Sequence, residues 1–334
     1  MKILILSKYD RDGGAAVAAY RLHKSLLSAG MNSQMLVQKK TSDDFTVFGA
    51  VSLKQKFFEL VSYYIDQLPA YFYKNRSPYL FSPAWFSSGD ISKQIKIIDP
   101  DIVHIHWSCK GMISVKEIGE IKVPIVFTMH DSWLFTGGCH IPWECKGYRT
   151  GCGRCPTLAS SSARDLSSNV VNRKLALFSR KTNITLVAVS RWLQTCANES
   201  LLFEDREVRM VPNAINTEEF RPLDKNHAKE ILNLNNKKKL ILFGALSATS
   251  DLNKGYKELS EAISQLSLDN VEIAVFGSSR PKSESILKYK VHYMGRLEDS
   301  ISLNILYSAA DVMVVPSLME SFGQTASEAM SCGT

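Results

Sequence analysis

Ten short apolar runs, each bounded by turn or helix signals, recur along this chain of 334 residues. They lack the polar alternation of a half-exposed strand and are rich in Ile and Val, which is typical of strands covered on both faces in parallel sheets. Helical patterns lie between them, for example at 15–28, 257–266 and 302–309. This alternation predicts doubly wound α/β domains. The predicted strands are 3–6, 34–37, 102–107, 125–129, 184–189, 208–211, 240–246, 271–276, 291–294 and 312–315.

The composition is that of a globular protein of about two domains, with 45% hydrophobic and 22% charged residues. No run approaches about 18 consecutive apolar residues, so no transmembrane helix is predicted. Seven cysteines, an odd number in a chain whose first apolar run is too short for a signal peptide, favour a reducing cytoplasm. The net charge of +7 suits a polyanionic ligand or the inner face of the plasma membrane. No stretch has a nucleic-acid-binding motif.

A domain boundary is readable near residues 211–216. A strand ends there in a Pro212-Asn213 turn, a polar segment follows, and a new series of strands and helices begins at Leu240. We therefore predict domains at 1–215 and 216–334.

The end of the chain carries two glutamates, Glu320 and Glu328, with seven residues between them. They follow an apolar run that reads as a strand, and the composition after Gly323 favours a helix. A helix N-terminus presents free N–H groups and the positive end of its dipole, which suits a phosphate. Carboxylates, by contrast, are good hydrogen-bond acceptors for sugar hydroxyl groups. The spacing therefore fits a nucleotide sugar, with sugar, diphosphate and ribose in turn.

This Glu-x-Phe-Gly pattern with a second Glu in register resembles the C-terminal signature of retaining glycosyltransferases of the GT-B type, family four. The resemblance implies a GT-B fold, with two Rossmann-like domains facing a cleft. It also implies that Glu320 contacts the donor sugar and that Glu328 binds the ribose hydroxyls. The backbone of Phe322, Gly323 and Gln324 would meet the diphosphate. Such a C-terminal domain normally continues with further elements, so the resemblance predicts a truncated second domain.

Two further segments match the positions at which this family meets the diphosphate. Gly13 and Gly14 follow the first strand and open the first helix, so the backbone can approach a ligand; a simple turn is the alternative. Lys254, before Gly255, would neutralise the leaving phosphate. The family usually adds an arginine shortly before this lysine, and none stands between 244 and 253. Arg280 or Arg296 could substitute for it.

Histidines lie at the predicted C-terminal ends of two neighbouring strands. His130 ends the strand 125–129, where ligands collect in open α/β sheets. A structural role is the alternative, but the Thr-x-His-Asp resemblance places His130 beside the donor sugar. His106 could line the same cleft, whereas His104 reads as a packed strand residue.

Four cysteines cluster within seventeen residues, in a predicted insertion at 137–157. The Cys152-x-x-Cys155 spacing suits two adjacent thiolates on a tetrahedral zinc ion, and Cys139 and Cys145 would complete the shell. His140 is a spare ligand. The alternative is a set of packed, reduced thiols. Residues 128–156 resemble a bacterial subgroup of family four that builds exopolysaccharides, including colanic-acid-type enzymes.

The segment 57–86 is rich in aromatic residues with interspersed lysine and arginine. Such a composition suits a membrane interface or a lipid-linked acceptor. The alternative is a helical hairpin that caps the N-terminal sheet. We expect core packing for most of these aromatic side chains and peripheral membrane contact for a few.

These observations predict a retaining glycosyltransferase that moves a hexose or N-acetylhexosamine from a nucleoside-diphosphate sugar to a glycan or lipid-linked acceptor. Cations and backbone amides would stabilise the leaving diphosphate, so no catalytic metal is predicted. Two alternatives stay open. One is a GT-B sugar-nucleotide epimerase, and the other is a non-catalytic nucleotide-sugar-binding protein.

Overall fold

The computed structural model describes residues 1–49, 53–244, 249–278 and 289–334. These residues form two compact units, Met1–Asn213 and Ala214–Thr334. Each unit contains one parallel sheet with helices packed on it. The α/β architecture with two such sheets confirms the predicted fold class.

The first unit holds a seven-stranded sheet in the order β3-β2-β1-β4-β5-β6-β7, with every neighbouring pair parallel. The strand order reverses between β1 and β4. Ligands bind at such a reversal, outside the carboxyl ends of the strands. The strands are β1 (Lys2–Tyr9), β2 (Asn32–Lys39), β3 (Val47–Phe48), β4 (Ile102–Ile105), β5 (Ile125–Met129), β6 (Ile184–Ala188) and β7 (Val208–Met210). The helices are α1 (Gly14–Ser28), α2 (Leu53–Tyr71), α3 (Asp90–Ile98), α4 (Val115–Glu120), α5 (Leu166–Phe178) and α6 (Arg191–Asn198).

The second unit holds a four-stranded parallel sheet in the order β10-β9-β8-β11. Its order reverses between β8 and β11, so the loops after these two strands border the expected ligand crevice. The strands are β8 (Lys239–Gly244), β9 (Val271–Phe276), β10 (Val291–Gly295) and β11 (Val312–Val314). The helices are α7 (Lys225–Ile231), α8 (Tyr256–Gln265), α9 (Ser300–Ala309) and α10 (Gln324–Ser331).

Apolar packing on both faces of each sheet explains why the strands read as continuous apolar runs. In the second unit one cluster joins β8 and β9 to α9 and α10 through Leu242, Ala274 and Tyr307. A second cluster, on Phe243 and Val275, packs against α8 through Leu259. Even-numbered and odd-numbered side chains along β8 therefore point into two different cores, so the strand needs apolar residues at consecutive positions.

The aromatic segment differs from the expectation of core packing. Of its aromatic side chains only Phe81 is fully buried, and those of Phe57, Phe58, Tyr64, Tyr71, Phe72 and Trp85 are exposed. Most of the segment therefore does not belong to the core, because α2 turns its aromatic face outward. Among the described helices, none is both long enough and apolar enough to cross a bilayer.

Candidate functional site

In the second unit, Asn253 joins the loop after β8 to the loop after β11. Its side-chain amide donates to the carbonyl of Met319 (2.8 Å), and its Oδ1 accepts from the Met319 N–H (3.0 Å). The Leu318 N–H donates to the Asn253 carbonyl at 2.9 Å. Asn253 is buried. These three bonds fix the relative positions of the neighbouring residues, Lys254 and Glu320.

Gly255 allows the two loops to approach this closely. It ends a single 3-10 turn, Leu252–Lys254, and its φ of +68° is a left-handed conformation. A Cβ at this position would lie 2.1 Å from the carbonyl oxygen of Pro316. Only glycine meets both conditions. Backbone geometry therefore explains the glycine at position 255, whereas the chemistry of its side chain explains the lysine at position 254.

Lys254 and Glu320 form an ion pair at this position. The lysine Nζ lies 3.1 Å from Glu320 Oε2, and the two side chains are 22% and 36% exposed. The structure therefore brings together the residue predicted to face the leaving phosphate and the residue predicted to face the donor sugar. The pair remains open enough to solvent for a ligand to separate it.

The N-cap of α10, Gly323, lies three residues beyond Glu320. It has a φ of +81°, as glycine it supplies no capping side chain, and the first turn of the helix has no acidic residue. Its N–H groups and dipole therefore favour an anion. Phe322 precedes the cap and Gln324 is the first helical residue, both half-buried. These are the positions predicted to meet the diphosphate.

Glu328 lies on the buried side of α10. Its side chain is 5% exposed, and the Tyr307 hydroxyl of α9 donates to its Oε2 at 2.7 Å. A buried carboxylate requires such donors, because an unpaired charge in the interior is costly. The predicted ribose contact stays a prediction. The partner that the structure shows for this carboxylate is the Tyr307 hydroxyl of the neighbouring helix α9.

The arginine substitutes have different environments. Arg296 pairs with Glu298 (Nε to Oε1, 2.9 Å) on the surface of the second unit. Arg280 lies outside the described residues, as does Ala245, the position at which the family usually has arginine. Lys254 is thus the cation that the described loops place beside Glu320.

In the first unit, Gly13 caps α1 with a φ of +93° and ψ of 156°, which again requires glycine. A Cβ there would meet nothing within 4 Å, so the need is conformational and the space above the helix end is open within this unit. As a glycine, the N-cap supplies no capping side chain to α1. Gly14 is its first helical residue. This end of α1 follows β1, at the strand reversal.

Three histidines form a row across the carboxyl ends of β4 and β5. His106 Nδ1 lies 2.8 Å from His130 Nε2, and His104 Nε2 lies 2.8 Å from Thr128 Oγ1. The rings of His104 and His106 stack at 4.4 Å, and those of His106 and His130 at 5.1 Å. Burial lowers the pKa of His104 and of His130 to about 4; the neighbouring His130 lowers that of His104 further, whereas the charge of Asp131 opposes the shift of His130. The row is therefore neutral at pH 7.

Asp131, the residue after His130, organises the adjoining loop. Its Oδ2 lies 2.6 Å from His140 Nδ1 and accepts the Trp107 indole N–H at 2.8 Å, while Oδ1 accepts the Trp133 N–H. Burial alone would raise the pKa of Asp131, but His140 and these N–H donors hold it below its ordinary value. His140 Nε2 also bonds Ser82 (2.8 Å). Both ring nitrogens of His140 are therefore hydrogen-bonded, so the structure gives no support to His140 as a spare metal ligand.

The four clustered cysteines, Cys139, Cys145, Cys152 and Cys155, line one small cavity. Burial raises the pKa of Cys139 to about 12 and that of Cys152 to about 11, which favours neutral thiols. Throughout the described parts of the chain, no three His, Cys, Asp or Glu side chains are arranged to hold a metal ion. The arrangement thus gives no support to the predicted zinc shell, although it does bring the four residues together.

Sequence reasoning missed two residues that shape these sites. Asn253 was hidden in a polar loop, and only its contacts across the two loops reveal its role. Lys8 is buried at the end of β1, where its Nζ donates to Gln38 Oε1 (2.5 Å) and to the Lys110 carbonyl (2.8 Å). Burial, and then the charge of Lys110, lower the pKa of Lys8 to about 8. A lysine inside an otherwise apolar strand was the available signal.

Known structures share this fold. Sucrose-phosphate synthase from Thermosynechococcus elongatus matches with a TM-score of 0.63 at 18% identity, covering 100% of this chain and 80% of that one. HepE of Anabaena, in complex with UDP-glucose, matches with a TM-score of 0.61 at 16% identity, covering 100% and 79%. WaaG, a glycosyltransferase involved in lipopolysaccharide biosynthesis, matches with a TM-score of 0.62 at 13% identity, covering 99% and 79%.

Two curated relatives match in sequence. An uncharacterized glycosyltransferase of Methanocaldococcus jannaschii is 27% identical over 260 residues, which is 70% of this chain. A putative colanic acid biosynthesis glycosyl transferase of Escherichia coli is 26% identical over 170 residues, which is 47% of this chain. The chain spans 63% of the length of the first relative and 40% of the second.

Two family matches divide the chain in the same way as its two units. Residues 224–334 match the family described as Glycosyl transferases group 1. Residues 12–219, more than half of the chain, match Glycosyltransferase Family 4. On this match, the chain belongs to Glycosyltransferase Family 4.

Proposed function

We propose that this protein is a retaining glycosyltransferase that moves a sugar from a nucleoside-diphosphate sugar to a glycan or lipid-linked acceptor in cell-surface polysaccharide synthesis. The observation that carries the proposal is the Lys254–Glu320 pair beside the N-terminus of α10. A cation, a carboxylate and the N–H groups of a helix start match a diphosphate and a sugar hydroxyl group. Family membership, and UDP-glucose in the HepE structure, support the donor class.

Donor binding would exchange partners within the ion pair. Lys254 Nζ would turn to the diphosphate, whose charge grows as the glycosidic bond breaks, and Glu320 would accept hydrogen bonds from the sugar hydroxyls. The N–H groups after Gly323 would hold the same phosphates. Because these groups supply the electrostatic stabilisation, the reaction requires no catalytic metal. We assign no nucleophile: the acceptor hydroxyl would attack from the donor's front face, assisted by the leaving phosphate.

The first unit would contribute the acceptor side. His130 is neutral at pH 7 because burial lowers its pKa to about 4. It would therefore act as a hydrogen-bonding group toward a sugar hydroxyl and not as a cation. The start of α1 at Gly13 and Gly14 is suited to a phosphate or to a polar sugar group.

The test is incubation of the purified protein with UDP-glucose and a panel of other nucleoside-diphosphate sugars, with NMR of the sugar and nucleotide products. With no acceptor added, we expect slow transfer of the sugar to water, which releases the nucleoside diphosphate and, before mutarotation, an α-configured free sugar from an α-configured donor. Binding without turnover would favour the non-catalytic alternative, and an epimeric nucleotide sugar would favour the epimerase. If no donor in the panel bound, the proposal would be wrong.

A further inference from the structure

Helix α2 has an inverted distribution of polar and apolar side chains. Its inward face carries Ser62, Asp66 and Ala70, all buried. The Asp66 carboxylate accepts the N–H groups of Trp85 (3.0 Å) and Phe86 (3.3 Å). A helix on the surface of a globular protein normally buries its apolar stripe and exposes its polar one. Here a polar anchor holds the helix to the first unit, and the apolar stripe faces away.

The outward stripe, which we call the α2 ridge, consists of Phe57, Leu60, Tyr64, Leu68 and Tyr71. Their exposed fractions run from 63% for Phe57 to 44% for Tyr71. At 100° per residue these five positions fall within an arc of about 80°. The ridge runs along about 21 Å of helix, and Phe72, 79% exposed, extends it at the C-terminal end. Contiguous exposed apolar surface of this kind marks an interaction site.

The charges around the ridge favour an anionic partner. From residue 57 to residue 72 every exposed side chain is apolar or aromatic, and none is charged. Beyond the helix end stand Lys74, which is exposed, and Arg76, whose guanidinium lies 4.5 Å from the centre of the Tyr71 ring. The acidic Asp66 faces inward and is fully buried, and Glu59 is half-buried on the side of the helix away from the ridge. The outward side therefore combines apolar residues with a basic C-terminal flank.

We propose that the α2 ridge lies in the interfacial layer of an anionic lipid bilayer, with the helix parallel to the membrane plane. Phenylalanine and leucine would enter the acyl boundary, while the tyrosine hydroxyls and the basic flank would stay at the headgroups. A protein partner of standard size needs about 800 Å² per side with a polar rim. The ridge is one helix wide and has no such rim, so a flat lipid surface fits it better than a folded partner.

The experiment is cosedimentation of the purified protein with vesicles of phosphatidylcholine and phosphatidylglycerol, mixed at about 7:3. We expect wild-type protein to sediment with these vesicles and to bind pure phosphatidylcholine more weakly. The triple variant Phe57→Ser, Tyr64→Ser, Leu68→Ser should lose binding by about tenfold or more, because the buried apolar area supplies most of the affinity.

A matched control removes as many exposed apolar groups elsewhere: Phe45→Ser, Ile97→Ser, Ile301→Ser, whose side chains are 86%, 81% and 72% exposed. This variant should bind vesicles like the wild type. Circular dichroism and melting temperature establish that both variants are folded. Substituting Lys74→Gln and Arg76→Gln should remove the preference for anionic vesicles while leaving weak binding to phosphatidylcholine.

Equal binding by the ridge and control variants would overturn the proposal. A second outcome would also overturn it: the wild type does not bind vesicles but forms dimers in sedimentation equilibrium, and the ridge variant does not. The ridge would then be a contact between two copies of this chain. The test uses no donor, so its outcome is separate from that of the glycosyltransferase assay.

Discussion

Replacing Lys254 with methionine tests whether this lysine is a catalytic cation or only a member of a surface ion pair. Its partner Glu320 is 3.1 Å away, and Coulomb's law gives about 1 kcal/mol for such a pair in bulk water and about 5 kcal/mol at an effective dielectric constant of 20. Since the two side chains are 22% and 36% exposed, solvent screens the pair. We therefore expect only about 0.2–1 kcal/mol of stability to be lost in Lys254→Met.

The loss in activity should be much larger. If Lys254 meets the leaving diphosphate, its charge acts where negative charge grows in the transition state. Removing one such electrostatic group typically costs about 2.7–4 kcal/mol, or about 10²–10³ in kcat. Because the interaction strengthens in the transition state, kcat should fall more than donor affinity. Steady-state kinetics with the donor that the panel identifies and urea denaturation of the same sample give both quantities.

Lys225→Met is the matched control. Lys225 pairs with Asp311 (Nζ to Oδ1, 3.3 Å) in the same unit and is 43% exposed. It should cost a similar fraction of a kcal/mol in stability and leave kcat unchanged. The double variant Lys254→Met, Glu320→Gln should fall in activity by less than the two single losses combined, since the residues act on one substrate. A kcat within about threefold of wild type in Lys254→Met would refute the assigned role.

Three further predictions follow from buried groups. Tyr307→Phe should lower the free energy of unfolding by about 1–3 kcal/mol in urea titrations, because the buried carboxylate of Glu328 loses a donor; an unchanged value would mean that this bond contributes nothing. Burial lowers the folded pKa of His130 to about 4, below the unfolded value of about 6.5. The unfolded state then binds more protons, so the free energy of unfolding should fall as the pH drops from about 6.5 to 4. NMR should show a neutral His130 ring in the folded protein at pH 5.5, and a ring that titrates near pH 6.5 would contradict this prediction. At pH 8 the Cys139 and Cys152 thiols should react with a disulfide reagent at least about 100-fold more slowly than in denaturant, and native rates equal to the denatured ones would show that they are accessible.

The sheets were the most predictable part of the structure. The described strands include one at each of the ten apolar runs, because strands buried on both faces need apolar residues at consecutive positions. The two-residue strand β3, at Val47–Phe48, escaped prediction. It lies at the edge of the first sheet and pairs only Met35 and Leu36 of β2. So short an edge strand needs no continuous apolar run.

The aromatic segment shows the opposite limit. Its sequence predicts a helix, but periodicity alone does not tell which face points inward. The orientation depends on the Asp66 carboxylate, which accepts N–H groups from Trp85 and Phe86, about twenty residues along the chain. A buried polar anchor of this kind exists only in the folded chain. Composition therefore favoured a core assignment, whereas hydrogen bonding turned the apolar face of α2 outward.

Glu328 illustrates how a motif can leave the environment of its residues undetermined. The sequence places it within α10, but the Tyr307 hydroxyl that holds its carboxylate comes from α9. Such a bond fixes the direction of the carboxylate before any ligand arrives. A ribose bound there would meet a preorganised acceptor and would spend little binding free energy on ordering the side chain. If Glu328 binds the ribose, α9, which carries none of the residues predicted to touch the donor, would influence donor affinity through Tyr307.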